Sequence, residues 1–133
     1  MDPREIFAAC AEHRRAFADL IETLDEAQLA TSSLCGEWDV RTVAAHLTVP
    51  LLVSTPKFAR AAPRHRGNFD RTNAALAKQM ATTPIARVAA NLRTNAESRY
   101  TPPIGGPRAP LSDLLIHGGD VRIPLGLPFA PPV

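Results

Sequence analysis

Apolar residues recur at three- and four-residue steps along most of the chain, and no pair of alternating segments joined by a hairpin turn is present. That period belongs to helices with one buried face. Ile6, Cys10, His13, Phe17, Leu20 and Leu24 form the first stripe. Its start is marked by Asp2 as cap, Pro3 at the first helical position and Glu5 three residues after the cap, the pattern of a capping box. A break around Thr31-Ser32-Ser33 and Gly36 leads to Asp39, a cap for a second helix with Thr42 at its third position. Val40, Val43, Ala44, Leu47 and Leu51 make that helix's inner stripe, with His46 next to it. Pro50 falls inside it. There it removes one hydrogen bond, to the carbonyl of His46, at about 3 kcal/mol in a regular helix. The outcome is a bend that follows the core or a device that opens a site.

The third predicted helix comes in two pieces, Asp70 to Ala81 and Pro84 to about Ser98, with Thr83 as cap and Pro84 as first residue of the second piece. Ile85, Val88, Ala89, Leu92 and Ala96 keep a single face. A proline-glycine connector, Thr101 to Pro110, separates it from a fourth helix that runs from near Leu111 to about Arg122 and stops before Pro124 and Gly126. Gly118-Gly119 lies within this last helix, and each glycine costs about 1 kcal/mol relative to alanine. Close approach of another backbone or of a ligand would offset that cost. The architecture these elements predict is all-α, a four-helix bundle.

At 133 residues the chain has room for one domain, with ordinary apolar and charged fractions. The N-terminus has two acids and no apolar core, so it is not read as a secretory signal. The most apolar stretch, Val43 to Val53, is too short to span a bilayer. A cytoplasmic setting is therefore expected, and in it Cys10 and Cys35 stay reduced. They lack CxxC spacing, which argues against a redox or zinc-knuckle role. Arginine outnumbers lysine 13 to 2, which together with the many alanines and prolines reflects a GC-rich coding sequence; a net charge of +2 is too small to imply a polyanionic partner. The basic stretch 57–71, bracketed by Phe58 and Phe69, lacks interleaved aromatics for base stacking and is read as a solvated connection, with no nucleic-acid partner expected.

Chemistry concentrates elsewhere. Asp113 and His117 stand four residues apart and project from one helical face, close enough to share a metal ion. This spacing is common by itself. His46, on the apolar side of another helix, strengthens it, since facing helices of a bundle bring inward side chains together. Two imidazoles and a carboxylate suit zinc, nickel or ferrous iron, and three protein ligands leave an open position, as catalytic sites do. For each histidine an ordinary structural role stands beside this. His13 fits a hydrogen-bonded core or boundary histidine, and His65, between two arginines, an exposed one. Trp38 is expected to plug the loop between the first two helices.

Residues 33–47, SLCGEWDVRTVAAHL, resemble the "LCxxWxVRDVVAHL" signature of the mycothiol-dependent maleylpyruvate isomerase family, within the DinB-like bundles. Residues 113–126, DLLIHGGDVRIPLG, are similar to its second signature, "DLLVHGQDIRRPLG". The resemblance implies a DinB-like four-helix bundle with a divalent metal held at His46, Asp113 and His117. The characterised isomerases carry Glu at the acid position, and Asp113 is shorter by one methylene. Larger members carry a C-terminal domain that contributes to thiol binding. This chain ends just past the second block and is expected to lack that domain or to be a fragment.

The implied activity is that of a metal-dependent enzyme using a low-molecular-weight thiol, mycothiol by resemblance, on an electrophilic substrate. The outcome is cis-trans isomerisation or S-transfer. Asp120, one turn beyond His117, is placed to orient it, and Arg122 to meet a substrate carboxylate, although both also fit ordinary helix-end polar residues. The rival reading is a bundle, with or without metal, that binds a ligand or partner and catalyses nothing, because fold does not fix function. A helix-turn-helix DNA binder is a distant third. Two chains could also pair to cover an apolar bundle face, giving a homodimer.

Overall fold

A computed structural model describes residues 2–52, 69–101 and 105–128, with the side chains of residues 69 and 70 excepted. Six helices lie among them: α1 (Pro3–Glu22), α2 (Glu26–Leu29), α3 (Val40–Leu52), α4 (Phe69–Met80), α5 (Ile85–Thr94) and α6 (Arg108–Arg122). Within the described residues the only β pairing is an isolated antiparallel bridge between Ser32 and Asp39. The all-α bundle expected from the apolar period is the fold that forms. Its first, second and fourth helices are α1, α3 and α6, and the divided third is α4 with α5.

Local chemistry sets most of the ends. Asp2 accepts from the Glu5 amide and Glu5 reaches back to the Asp2 amide, closing the capping box on α1. Asp39 accepts from both the amide and the hydroxyl of Thr42. The fourth helix begins at Arg108, three residues earlier than its apolar pattern predicts. Pro110 then falls in the first turn, where its missing N–H leaves no bond unmade. The helix closes at Arg122, ahead of Pro124.

Further details depart from the sequence reading. The single turn α2 lies inside the segment read as a plain connection; Asp25 and Gln28 close a second capping box on it. Thr83 does not cap α5, which is entered through Pro84 without a side-chain cap. That helix ends at Thr94, not near Ser98. Pro50 is carried inside α3, which continues to Leu52. Residues 57–68, the greater part of the basic stretch, and His65 with them, lie outside the described residues.

The core runs along the axis of the bundle. Phe17 and Ile21 of α1, Val40 and Val43 of α3, Val88 and Leu92 of α5, and Val121 of α6 are all buried. α1 packs on α5 and α6, and α3 packs on α4, α5 and α6, so α3 and α6 face each other across the interior. Arg14 is buried as well. Its guanidinium donates to the carbonyls of Ala96 and Ser98, which tie off the chain beyond α5. On the surface, Arg93 pairs with Asp19 and Glu22, and Arg15 with Glu97, bracing α1 against α5 and the residues that follow it. No helix among the described residues is long and apolar enough to cross a membrane.

Candidate metal centre

α3 and α6 bring the three sequence-predicted ligands together. His46 is buried on α3, Asp113 is half-buried on α6, and His117 is buried one turn further along α6. The carboxylate of Asp113 lies between the two rings: Oδ2 is 3.2 Å from Nε2 of His46, and Oδ1 is 3.2 Å from Nε2 of His117. The rings meet edge to face with centroids 4.7 Å apart. One ligand atom from each residue lies within 4.8 Å of the other two. Two donors about 2.1 Å from one cation, at a tetrahedral angle, stand about 3.4 Å from each other, so the N–O spacing is that of a coordination edge.

The other ring nitrogens are held too. Nδ1 of His117 is 3.1 Å from Oδ2 of Asp120, and Nδ1 of His46 is 3.3 Å from the amide of Asn73 on α4. Each Nε2 faces Asp113, and for His117 a cation that took the place of the Nε2 proton would leave the other proton on Nδ1, held by Asp120, the tautomer a metal ligand needs. Asp120 thus touches His117 directly. Arg122 turns back along its own helix: Nη1 donates to the Gly118 carbonyl at 3.3 Å, and the guanidinium lies over the Phe17 ring.

Charge follows from this packing. Burial works against an ionised Asp113, but hydrogen bonds from His117 and His46 and their positive charge outweigh it and hold the carboxyl well below its usual range. For His117 burial disfavours the imidazolium, and the hydrogen bond and charge of Asp113, with Asp120 on the other side, more than compensate and raise its pKa.

Three neighbours were not read as part of the site in the sequence. Trp38 does more than fill the loop before α3, because its ring centroid is 5.0 Å from that of His46 and 6.4 Å from that of His117. Asn73 carried no signal beyond its helix. Cys35 is the third: its sulfur, a carboxylate oxygen of Asp120 and a ring nitrogen of His117 all lie within 4.8 Å of one another. Burial, and then the charges of Asp120 and Asp113, push its thiol pKa up. His13 stands apart on α1, part-buried, as a boundary histidine would.

Residues 10–51 match the family model of the mycothiol maleylpyruvate isomerase N-terminal domain. The match bears out the family resemblance. It spans Cys35, Trp38 and His46 and stops short of Asp113 and His117, whose placement rests on the geometry just described. No curated protein matches the chain, and no solved structure does either.

Proposed function

We propose that the protein is a divalent-metal-dependent, low-molecular-weight-thiol-dependent isomerase or S-transferase of the maleylpyruvate isomerase type, with mycothiol as the thiol. The observation that supports this is the convergence of the His46 and His117 Nε2 atoms on the two oxygens of Asp113, with both Nδ1 atoms already engaged. His46, Asp113 and His117 are the residues that would hold the cation, zinc first by donor type, with nickel or ferrous iron as the other fits. A cation there supplies charge that favours the thiolate over the thiol at neutral pH.

The chain's own residues do the rest. Asp120 and Asn73 hold the two rings by their far nitrogens, so the near nitrogens keep one orientation. Asp113 contributes the negative charge that offsets the cation. Trp38 covers the rings from the side of the loop and keeps bulk water from that face. For the substrate, a thiol adding through sulfur to an activated double bond converts it to a single bond, the adduct rotates, and expulsion of the thiol returns the double bond in the other geometry. If the adduct is retained, the same addition is S-transfer. Small molecules are then the partners, in a cytoplasmic setting.

Metal content of protein purified without added metal, followed by a mycothiol-dependent assay for loss of maleylpyruvate, tests the reading. Stoichiometric metal that is lost in both His46→Ala and His117→Ala, with turnover in the parent, is the expected result. Metal content unchanged in both variants overturns the site. Metal without turnover favours a bundle that binds but does not catalyse.

A further inference from the structure

The loop between α2 and α3 is pinned residue by residue. Ser33 donates its amide and its hydroxyl to the Trp38 carbonyl, and its hydroxyl oxygen also accepts from the Cys35 amide. The Trp38 amide donates to the Cys35 carbonyl, closing a tight turn in which Gly36 takes φ +56°, a left-handed conformation that disfavours side-chain-bearing residues. The Leu34 amide donates to the backbone carbonyl of Asp120, fastening the loop onto α6. Five hydrogen bonds therefore set the backbone of Cys35 against α6, and from that backbone its sulfur lies near Asp120 and His117.

We infer that Cys35, Asp120 and His117 form a second cation site that shares His117 with the first and takes a thiophilic divalent cation such as zinc, cobalt or cadmium. A thiolate, an imidazole and a carboxylate are a mixed soft donor set of the kind zinc and its spectroscopic substitutes accept. Binding forms a metal–sulfur bond and releases the thiol proton to buffer. Neither sulfur nor Asp120 belongs to the first set, so the two sets differ in hardness. One imidazole serves both, meeting Asp113 through Nε2 and Asp120 through Nδ1, and the second set also costs a thiol proton, so the first set fills first and the second fills when the cation is in excess.

Cobalt titration of the full chain as purified tests this, because thiolate coordination gives a near-ultraviolet charge-transfer band that nitrogen and oxygen ligands do not. Under excess cobalt, beyond the cation that the first set retains through purification, wild type and His46→Ala are expected to show the band, and Cys35→Ser to lose it. Cys10, fully buried on α1, has no route to the ion. A readout without any variant runs alongside: cobalt should protect Cys35 of the wild-type chain from alkylation, mapped by mass spectrometry. No band in wild type at saturating cobalt, an unchanged band in Cys35→Ser, or alkylation of Cys35 unaffected by cobalt overturns the inference. Loss of the band in His46→Ala also overturns it, since the sulfur would then depend on the first set. Failure of the maleylpyruvate assay leaves these outcomes unaffected.

Discussion

Nε2 of His46 lies 3.2 Å from Oδ2 of Asp113 although 67 residues of chain separate them. The same carboxylate meets His117 one turn along its own helix. In the metal-free protein this arrangement makes stability depend on pH from both sides. Asp113 has a depressed pKa in the fold, so its contribution is present above the ordinary value of 3.8 and is lost as pH falls toward the folded value. His117 has a raised pKa, so its contribution is present below 6.5 and is lost as pH rises through the folded value. Both are fully in place only between those two ordinary values. Melting temperature measured across pH after chelator treatment should show Asp113→Asn losing most relative to wild type inside that window and converging with it outside. A constant difference at all pH values would contradict the assignment.

Asn73 has no partner role that its sequence context suggests, yet its amide reaches the far nitrogen of His46. As placed, its Nδ2 donates to Nδ1 of His46 and the ring proton lies on Nε2 toward Asp113; with the amide turned over, its oxygen accepts from Nδ1–H and fixes the tautomer that frees Nε2 for a cation. Asn73→Leu keeps a similar volume and removes both polar atoms. Zinc affinity by chelator competition should weaken by roughly 10–100-fold, the usual cost of losing a group that orients a ligand. An affinity within twofold of wild type would remove Asn73 from the site.

Trp38 is the chain's single tryptophan and stands beside both rings, so its fluorescence should report on them alone. Titrating zinc into the metal-free protein is expected to change the emission and to saturate at one equivalent. His46→Ala should abolish that first-site response. Emission that stays flat through one equivalent of zinc, with binding confirmed by metal analysis, would place the cation away from these rings.

What could be read in the sequence and what could not divide along the range of the interactions. The caps of α1 and α3, the stripe through Phe17 and the Asp113–His117 spacing are local, set within one or two turns, and the residues that make them are adjacent in the text. His46 was legible through the motif around it. Cys35, Trp38 and Asn73 join the site only through tertiary placement: the loop of Ser33 and Gly36 docks on α6 through the Leu34 amide, and α4 lays Asn73 against α3. No spacing rule connects those segments. Between these extremes, α2 carried a readable signal in its Asp25 and Gln28 capping box, but four residues are too few to show a helical period. Thr83 failed as a cap although its side chain suits the role, because Pro84 itself occupies the capping position and α5 starts one residue later than a proline at the first helical position implies.

The glycine pair in α6 supplies the last prediction. A Cβ on Gly118 would come within 2.8 Å of Nη1 of Arg122, so the missing side chain makes room for the guanidinium that bonds the Gly118 carbonyl and lies over Phe17. The close approach that the sequence required is thus made by a side chain of the same helix. With Arg122 present, Gly118→Ala gains helix propensity of about 1 kcal/mol but pushes the guanidinium off Phe17, a cation–π contact of about 0.5–1 kcal/mol, so the net change should be near zero. With Arg122→Ala already in place, nothing opposes the new methyl, and Gly118→Ala should stabilise by about 1 kcal/mol. Urea denaturation of the two single variants and the double variant measures the difference as a coupling energy. Equal gains in both backgrounds would mean that Arg122 is not what keeps position 118 a glycine.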